Sequence, residues 1–159
     1  MLYAFVWTNP KPWLRLFGQR AVQAFAACGF VGKVLQFSTC LLWAWAMQPT
    51  GLCLRQPLTP AQLLVGGFLV AYGQALNLGV YRALGTRGVY YGCRLGHSVP
   101  WVSGWPFSAV RHPQYTGSVL SVWGVLLLLW GALPAAMATG VAVFWTGLYV
   151  LSGLVENYL

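Results

Sequence analysis

Residues 116–154 have the sequence TGSVLSVWGVLLLLWGALPAAMATGVAVFWTGLYVLSGL, which contains no charged side chain. The stretch is long enough for two membrane-crossing helices, each of which needs about 20 apolar residues. Residues 131–134, Gly-Ala-Leu-Pro, interrupt it with turn-forming residues but are too few for a loop domain. The stretch therefore predicts a tight helical hairpin, with helices over residues 116–130 and 133–154. The first of these is short for a full crossing, so we expect it to extend back towards Pro113.

Two further apolar runs precede the hairpin. Residues 28–47 end at a predicted turn, Gln-Pro-Thr-Gly, over residues 48–51, and residues 62–81 follow Thr59-Pro60, which is typical of a helix start. Of the 159 residues, 58% are hydrophobic and 6% are charged, whereas soluble domains are about 25% charged. This composition excludes an ordinary soluble domain and a disordered chain. We predict an all-α, polytopic integral membrane bundle of about four transmembrane helices, forming a single domain over residues 1–159.

The nine basic residues indicate how the spans are oriented. They oppose a single acid, Glu156, and are scattered between apolar runs rather than clustered, so the bilayer and not a nucleic acid is the expected partner. Three bases precede the first span, one lies between the first and second, four lie between the second and third, and the last turn has none. By the positive-inside rule, the segments with three and four bases are cytosolic. Span parity then places Glu156 on the same membrane face as Arg111-His112-Pro113.

Two features allow more than one interpretation. Lys33 lies inside the first span. It is either an intramembrane charge with a functional role or a side chain that snorkels to the interface, and we favour snorkelling. Residues 1–9 are apolar but too short to span, and they form an interfacial anchor or the tail of a truncated first helix. Both interpretations of residues 1–9 stay open.

Cysteines and small residues add weaker expectations. The cysteines form no CxxC pair and are expected to be free thiols, with no metal site; they are Cys28, Cys40, Cys53 and Cys93. Within the second span, small residues recur at a spacing of four, which predicts a close helix–helix contact in lipid. They are Gly67, Ala71, Ala75 and Gly79.

Polar chemistry concentrates in residues 82–115, between the second and third spans. Both histidines, His97 and His112, and four arginines lie there, interspersed with glycines and aromatic residues. A loop of this length in so small a protein is usually functional. Its side chains and exposed backbone suit the binding of a flat, charged small molecule.

Part of this segment resembles a known family. Residues 111–117, RHPQYTG, are similar to the RHPxYxG motif of integral-membrane methyltransferases, which include isoprenylcysteine carboxyl methyltransferases and phospholipid N-methyltransferases. Sterol reductases of related architecture carry similar strings. The wider context resembles the plant-type phospholipid N-methyltransferases and covers nearly the whole chain. It comprises WTN at 7–9, GQALN at 73–77, YYGCRLG at 90–96, VPWV at 99–102 and WPF at 105–107.

The resemblance implies S-adenosyl-L-methionine as the cofactor and a membrane phospholipid amine as the acceptor. It implies that mono- and dimethyl forms of phosphatidylethanolamine are converted to phosphatidylcholine in the endoplasmic reticulum membrane, at a site facing the cytosol. In the family, His112 and Tyr115 would line the cofactor pocket. An acidic pair matches Glu156 and Asn157, and the amide can still offer a carbonyl oxygen and an NH2 group. A cofactor-binding Gly-x-Gly matches at Gly67 only.

Several roles stay open. The attacking amine must lose a proton, which Glu156 or His112 could accept directly or through water. Glu156 could instead bind the amino group or ribose of the cofactor, and the resemblance favours this binding role. Arg94 and Arg111 either bind the lipid phosphate or serve only as cytosolic charges that orient the spans.

Rival functions belong to three classes. The same cofactor could serve another acceptor, such as a prenylcysteine carboxylate. A nicotinamide-dependent reductase is disfavoured because the chain is short and lacks an added basic pocket for a 2′-phosphate. A small non-enzymatic membrane scaffold would need no cofactor at all. Homo-oligomerisation is left open by the sequence.

Overall fold

The computed structural model describes residues 2–46 and 57–158, apart from the side chains of Gln36, Cys40, Trp43, Ala44, Asn157 and Tyr158. The described residues form helices joined by turns and irregular segments and contain no strand, which confirms the predicted all-α class. A short 3-10 turn, Gly18–Arg20, joins the second helix to the third. The helices are α1 (Leu2–Thr8), α2 (Pro10–Phe17), α3 (Ala21–Ala46), α4 (Pro60–Val89), α5 (Pro113–Leu128) and α6 (Ala135–Tyr158).

Among the described residues, three stretches are long and apolar enough to cross a membrane: Pro10–Thr39, Pro60–Val89 and Ala135–Glu156. The third predicted span corresponds to α5, which has 16 residues. At 1.5 Å per residue it is about 24 Å long, shorter than a hydrocarbon core of about 30 Å. The helical membrane bundle is thus built from three long helices and one shorter helix that packs among them.

Helix α4 begins as predicted and ends later than predicted. Thr59 and Gln62 form a reciprocal capping box, in which the Gln62 amide donates to Thr59 Oγ1 at 3.2 Å and the Thr59 amide donates to Gln62 Oε1 at 2.9 Å. At the other end the chain kinks at Gly85, where φ is 63°, and helix continues beyond it to Val89. Glycine adopts this φ without a steric penalty. The connection to α5 therefore spans residues 90–112, shorter than expected.

Glycines let α4 and α5 approach closely. A Cβ built on Gly73 would lie 2.5 Å from the carbonyl oxygen of Gly117, and a Cβ built on Gly124 would lie 2.7 Å from that of Gly66. Each helix contributes its two glycines seven residues apart, so both pairs meet along one antiparallel seam. Side chains this small are what permit close helix packing in a membrane.

The seam corrects the predicted small-residue stripe. Gly79 is buried, but Ala71 and Ala75 are exposed, and a Cβ on Gly67 would meet nothing within 4 Å. A four-residue spacing advances about 40° around the helix at each step, so such a stripe leaves the contact face after one or two steps. A seven-residue spacing is almost two full turns and stays on the face.

The C-terminal hairpin is present as predicted. Helix α5 starts at Pro113, α6 starts at Ala135, and buried Leu126 of α5 packs against Ala138 and Ala142 of α6. Other expectations concern residues outside the described part. These are the turn at residues 48–51, Arg55, Cys53 and the side chain of Cys40. Cys28 and Cys93 are free thiols.

The N-terminal helix belongs to the protein core. Val6 of α1 and Phe25 of α3 are fully buried, and they pack in one cluster with Trp13 of α2. The cluster also contains Tyr91 and Leu95 from the segment that follows α4. Helix α1 is therefore held against both α3 and the segment that the sequence marks as chemically important.

Candidate functional site

A cavity of about 340 Å³ lies where α1, the end of α4, the segment 90–112, the start of α5 and the end of α6 meet. Its walls are largely aromatic, with a few polar groups. The side chains that matter below are Tyr3, Trp7, Tyr91, His112, Tyr115 and Glu156.

Glu156 is held at the wall of this cavity by two tyrosines. The hydroxyls of Tyr91 and Tyr115 both donate to Glu156 Oε1, and the two hydroxyl oxygens are 3.5 Å apart. Tyr115 lies two residues after Pro113, in the first turn of α5, and Glu156 lies in the last turns of α6. The antiparallel hairpin thus brings the only acidic residue of the chain to the RHPQY motif, on the side that span parity predicts.

Tyr91 was not identified as a site residue from the sequence. It has a left-handed backbone, with φ of 54°, and its side chain is 8% exposed. Its ring packs against Trp7 and Phe25, with centroid distances of 5.0 and 5.5 Å. Burial, reinforced by Tyr115 and Glu156, raises the pKa of Tyr91 well above its usual value. The hydroxyl therefore keeps its proton at neutral pH and acts as a donor.

The N-terminal helix supplies two further walls that were not predicted. Trp7 contacts Tyr91 on one side, and the Arg94 guanidinium lies 4.3 Å from its ring centroid. Tyr3 packs edge-on to Tyr91, and burial raises its pKa to about 12. The only sequence signals for Trp7 and Tyr91 were the WTN and YYGCRLG stretches of the family resemblance, which assign them no role; Tyr3 lies in neither stretch.

His112 precedes the first residue of α5 and makes no side-chain capping hydrogen bond to that helix. Its ring lies nearly parallel to that of Tyr115, at a centroid distance of 6.2 Å and an interplanar angle of 27°. His112 also lines the first cavity.

A second cavity, of about 370 Å³, runs between α5 and α6. We call it the α5–α6 groove. Its walls are mostly apolar, and His112 and Tyr115 line both the groove and the first cavity. Its other lining residues include Val119 and Leu120 of α5 and Thr146, Tyr149, Val150 and Leu154 of α6. The first cavity, which we call the chamber, is partly polar. It meets the apolar α5–α6 groove at the side chains of His112 and Tyr115.

The remaining predicted site residues are distributed unevenly. Arg111 lines the first cavity, and Arg94 lies beside it against Trp7. Gly67 lines neither cavity: it lies 13 residues before the cavity-lining Val80 on α4, about 20 Å along the helix axis. The side chain of Asn157 is outside the described part. Among the described residues, no group of three or more His, Cys, Asp or Glu is placed to hold a metal ion.

Comparison with known proteins gives a consistent result. A family model described as phospholipid methyltransferase matches residues 61–157. A phosphatidyl-N-methylethanolamine N-methyltransferase from Arabidopsis thaliana is 34% identical over 137 residues, covering 80% of this chain and 76% of that protein.

Two more distant relatives match shorter regions. A phosphatidyl-N-methylethanolamine N-methyltransferase from Emericella nidulans is 41% identical over 68 residues, covering 42% of this chain and 33% of its own. Phosphatidylethanolamine N-methyltransferase B from Dictyostelium discoideum is 32% identical over 65 residues, which cover 40% of this chain and 32% of that protein. No solved structure matches the chain.

Proposed function

The chain belongs to the phospholipid methyltransferase family, and from this membership we propose that it uses S-adenosyl-L-methionine to methylate mono- and dimethyl forms of phosphatidylethanolamine, giving phosphatidylcholine. Family membership confirms the resemblance drawn from residues 111–117 and their context. The structural observation that supports the proposal best is the chamber walled by Glu156, which meets an apolar groove at His112 and Tyr115.

The first cavity suits the cofactor. Its volume of about 340 Å³ lies in the range of small-molecule sites. Glu156 offers a carboxylate to a cofactor that is cationic at sulfur and at its amino group, and aromatic walls suit its adenine ring. Arg111, Tyr3 and Trp7 complete the enclosure. When bound, the cofactor supplies a methyl carbon already activated by attachment to a sulfonium.

Glu156 is proposed to bind the cofactor rather than to act as a base. Its Oε1 accepts two tyrosine hydroxyls, so the carboxylate is fixed in position before any ligand arrives. A preorganised charge loses little free energy to reorganisation when it binds a cation. This choice agrees with the role that the family resemblance implies for Glu156.

His112 is proposed as the proton acceptor. The acceptor amine must be neutral when its nitrogen forms the bond to the methyl carbon, so one proton must leave it. His112 and Tyr115 line both cavities, so they lie where an amine from the groove would meet the chamber. The imidazole takes the proton directly or through a water molecule, while the protein holds the reacting atoms in line.

The lipid acceptor is proposed to reach the site through the α5–α6 groove. Its mostly apolar walls are suited to acyl chains and unsuited to a highly polar substrate. The distribution of basic residues supports a site on the cytosolic face of the membrane. The proposal that this membrane is the endoplasmic reticulum rests on the family resemblance alone.

The test is methyl transfer by membranes that contain the full chain. Labelled S-adenosyl-L-methionine is supplied with phosphatidyl-N-methylethanolamine, with the dimethyl lipid, or with a prenylcysteine. We expect label in dimethyl and choline lipids and none in a prenylcysteine ester. Membranes without the chain provide the background. Label only in the prenylcysteine, or no label above background, would contradict the proposal.

A further inference from the structure

Lys33 is directed at α6 from the middle of α3. Its Nζ donates a hydrogen bond to the Tyr149 hydroxyl at 2.7 Å. The same atom lies 5.3 Å from the centroid of the Tyr149 ring and 5.8 Å from that of Trp145. Lys33 is itself exposed on the bundle surface, within the apolar stretch Pro10–Thr39. A cation is therefore held at a defined place on the membrane-facing side of the bundle.

Among the described residues, no acidic side chain forms an ion pair with Lys33. Glu156 is the only acidic side chain in the whole sequence, and its carboxylate accepts the hydroxyls of Tyr91 and Tyr115. The Lys33 ammonium contacts the Tyr149 hydroxyl and the aromatic rings of Tyr149 and Trp145. Ionisable residues within a membrane segment are usually paired, and they often mark a substrate pathway. A lipid phosphate is an abundant anion in a bilayer, and a lysine ammonium binds phosphate through charge-assisted hydrogen bonds.

The partner of Lys33 also belongs to the α5–α6 groove. Tyr149 lines that groove, and its ring lies 6.1 Å from that of Tyr115, which lines both cavities. Tyr149 precedes Glu156 by seven residues, which is about 10 Å along α6. Lys33 is thus at the edge of the groove, roughly two helical turns from the carboxylate.

We propose that Lys33 binds the phosphate of the phospholipid that occupies the α5–α6 groove, and that this contact directs the lipid amine towards His112. The identity of the lipid rests on the proposed function. In such a lipid the phosphate lies between the acyl chains and the amine. A phosphate at Lys33 therefore leaves the acyl chains along Val119, Leu120 and Val150 and points the amine at the chamber. Lys33 contacts Tyr149, which lines the groove, whereas Arg94 packs on Trp7, which lines the first cavity.

Lipid binding by the purified full chain tests this directly. A short-chain phosphatidyl-N-methylethanolamine is titrated into the protein in detergent, and its Kd is measured by calorimetry. Lys33→Met, which keeps the apolar stem and removes the charge, is expected to weaken binding about tenfold or more, because a hydrogen bond between charged groups carries at least that much free energy. Lys33→Arg should stay within about threefold of the parent chain, since it keeps a donor cation.

Two controls make the result specific. Lys11→Met removes an exposed base from α2 and should leave the lipid Kd unchanged. N-methyldodecylamine, which has a comparable amine and no phosphate, should bind the parent and Lys33→Met equally. Tyr149→Phe, which removes only the hydroxyl that orients Lys33, should weaken lipid binding less than Lys33→Met does. It also serves as the second variant if Lys33→Met does not fold.

The outcomes separate this inference from the proposed function. Equal Kd values for the parent, Lys33→Met and Tyr149→Phe would overturn the role of Lys33, whether or not methyl transfer occurs. Equal loss of the lipid and of N-methyldodecylamine would also overturn it, because the effect would not concern the phosphate. Lipid binding that depends on Lys33 in a chain that transfers no methyl group would support the phosphate site and contradict the enzyme.

Discussion

The Tyr91 hydroxyl donates a hydrogen bond to the carboxylate of Glu156, joining residues 65 positions apart in the sequence. Tyr91 follows the end of α4 and Glu156 lies near the end of α6, so the bond ties the connecting segment to the C-terminal hairpin. Tyr115 donates to the same oxygen from α5. One carboxylate thus links three parts of the chain around the proposed cofactor chamber.

Removing the Tyr91 hydroxyl tests this arrangement. Tyr91→Phe keeps the packing against Trp7 but leaves Glu156 with a single tyrosine donor. A hydrogen bond to a charged group contributes about 1.5–3 kcal/mol, so the Kd for S-adenosyl-L-methionine should rise about tenfold or more. The measurement is cofactor titration of the purified variant. Tyr90→Phe, at the neighbouring residue, which does not bond to Glu156, should leave the Kd within about twofold of the parent value.

The two tyrosines should act as a unit. Because both hydroxyls fix the same carboxylate, the losses in Tyr91→Phe and Tyr115→Phe should not add in the double variant. We expect an interaction free energy of about 0.5–3 kcal/mol from the double-mutant cycle on cofactor binding. Strict additivity would show that the two hydroxyls contribute independently.

Neutralising Glu156 should affect the cofactor more than the lipid. Glu156→Gln keeps the shape and removes the charge that the cationic cofactor is proposed to meet. We expect cofactor affinity to fall about tenfold to a hundredfold, with little change in the Kd of the lipid. Separate titrations of the two ligands measure this. A variant that binds the cofactor normally but transfers methyl groups slowly would instead make Glu156 the proton acceptor.

The N-terminal helix should be required for the chamber. Trp7→Ala removes a ring that contacts both Tyr91 and Arg94, and should raise the cofactor Kd about tenfold by loosening the wall. Phe5→Ala is the matched control, because Phe5 is on the same helix and is 46% exposed. Equal effects of the two substitutions would show that the helix, rather than the Trp7 wall, is what matters.

The glycine seam should control stability. Gly73→Ala places a methyl group 2.5 Å from the Gly117 carbonyl oxygen, so α4 and α5 must separate, at a cost of about 1–3 kcal/mol in the free energy of unfolding. Gly67→Ala adds the same methyl group to the same helix in open space. Gly67→Ala should leave the free energy of unfolding unchanged or raise it slightly, because alanine has a higher helix propensity than glycine. Thermal unfolding in detergent compares the two, and equal melting temperatures would contradict the seam.

The sequence predicts the hairpin and its polar end because both depend on local or additive features. The lengths of the apolar runs predict where the helices lie, and turn residues predict where they end. Span parity predicts that Glu156 and His112 lie on the same membrane face, without any knowledge of packing. The start of α5 at Pro113 and the capping box at Thr59 follow equally from local rules.

Other features depend on tertiary contacts that periodicity does not encode. Helix α4 contacts α5 through Gly66 and Gly73, because Gly124 and Gly117 lie opposite them. The predicted small-residue stripe that begins at Gly67 does not follow this contact face. Tyr91 acquires its role from a left-handed backbone and from burial against α1. Its neighbour Tyr90 has the same side chain, so composition alone does not distinguish the two.

The proposed function is methylation of a phospholipid amine by a cofactor that is bound at Glu156. The most direct measurement is label transfer from S-adenosyl-L-methionine to phosphatidyl-N-methylethanolamine by the purified full chain in proteoliposomes, alongside Glu156→Gln. We expect labelled dimethyl and choline lipids from the parent chain. In Glu156→Gln, methyl transfer at subsaturating cofactor should be reduced at least about tenfold. Equal transfer by the two proteins would contradict the assigned site, and no transfer by the parent would contradict the function itself.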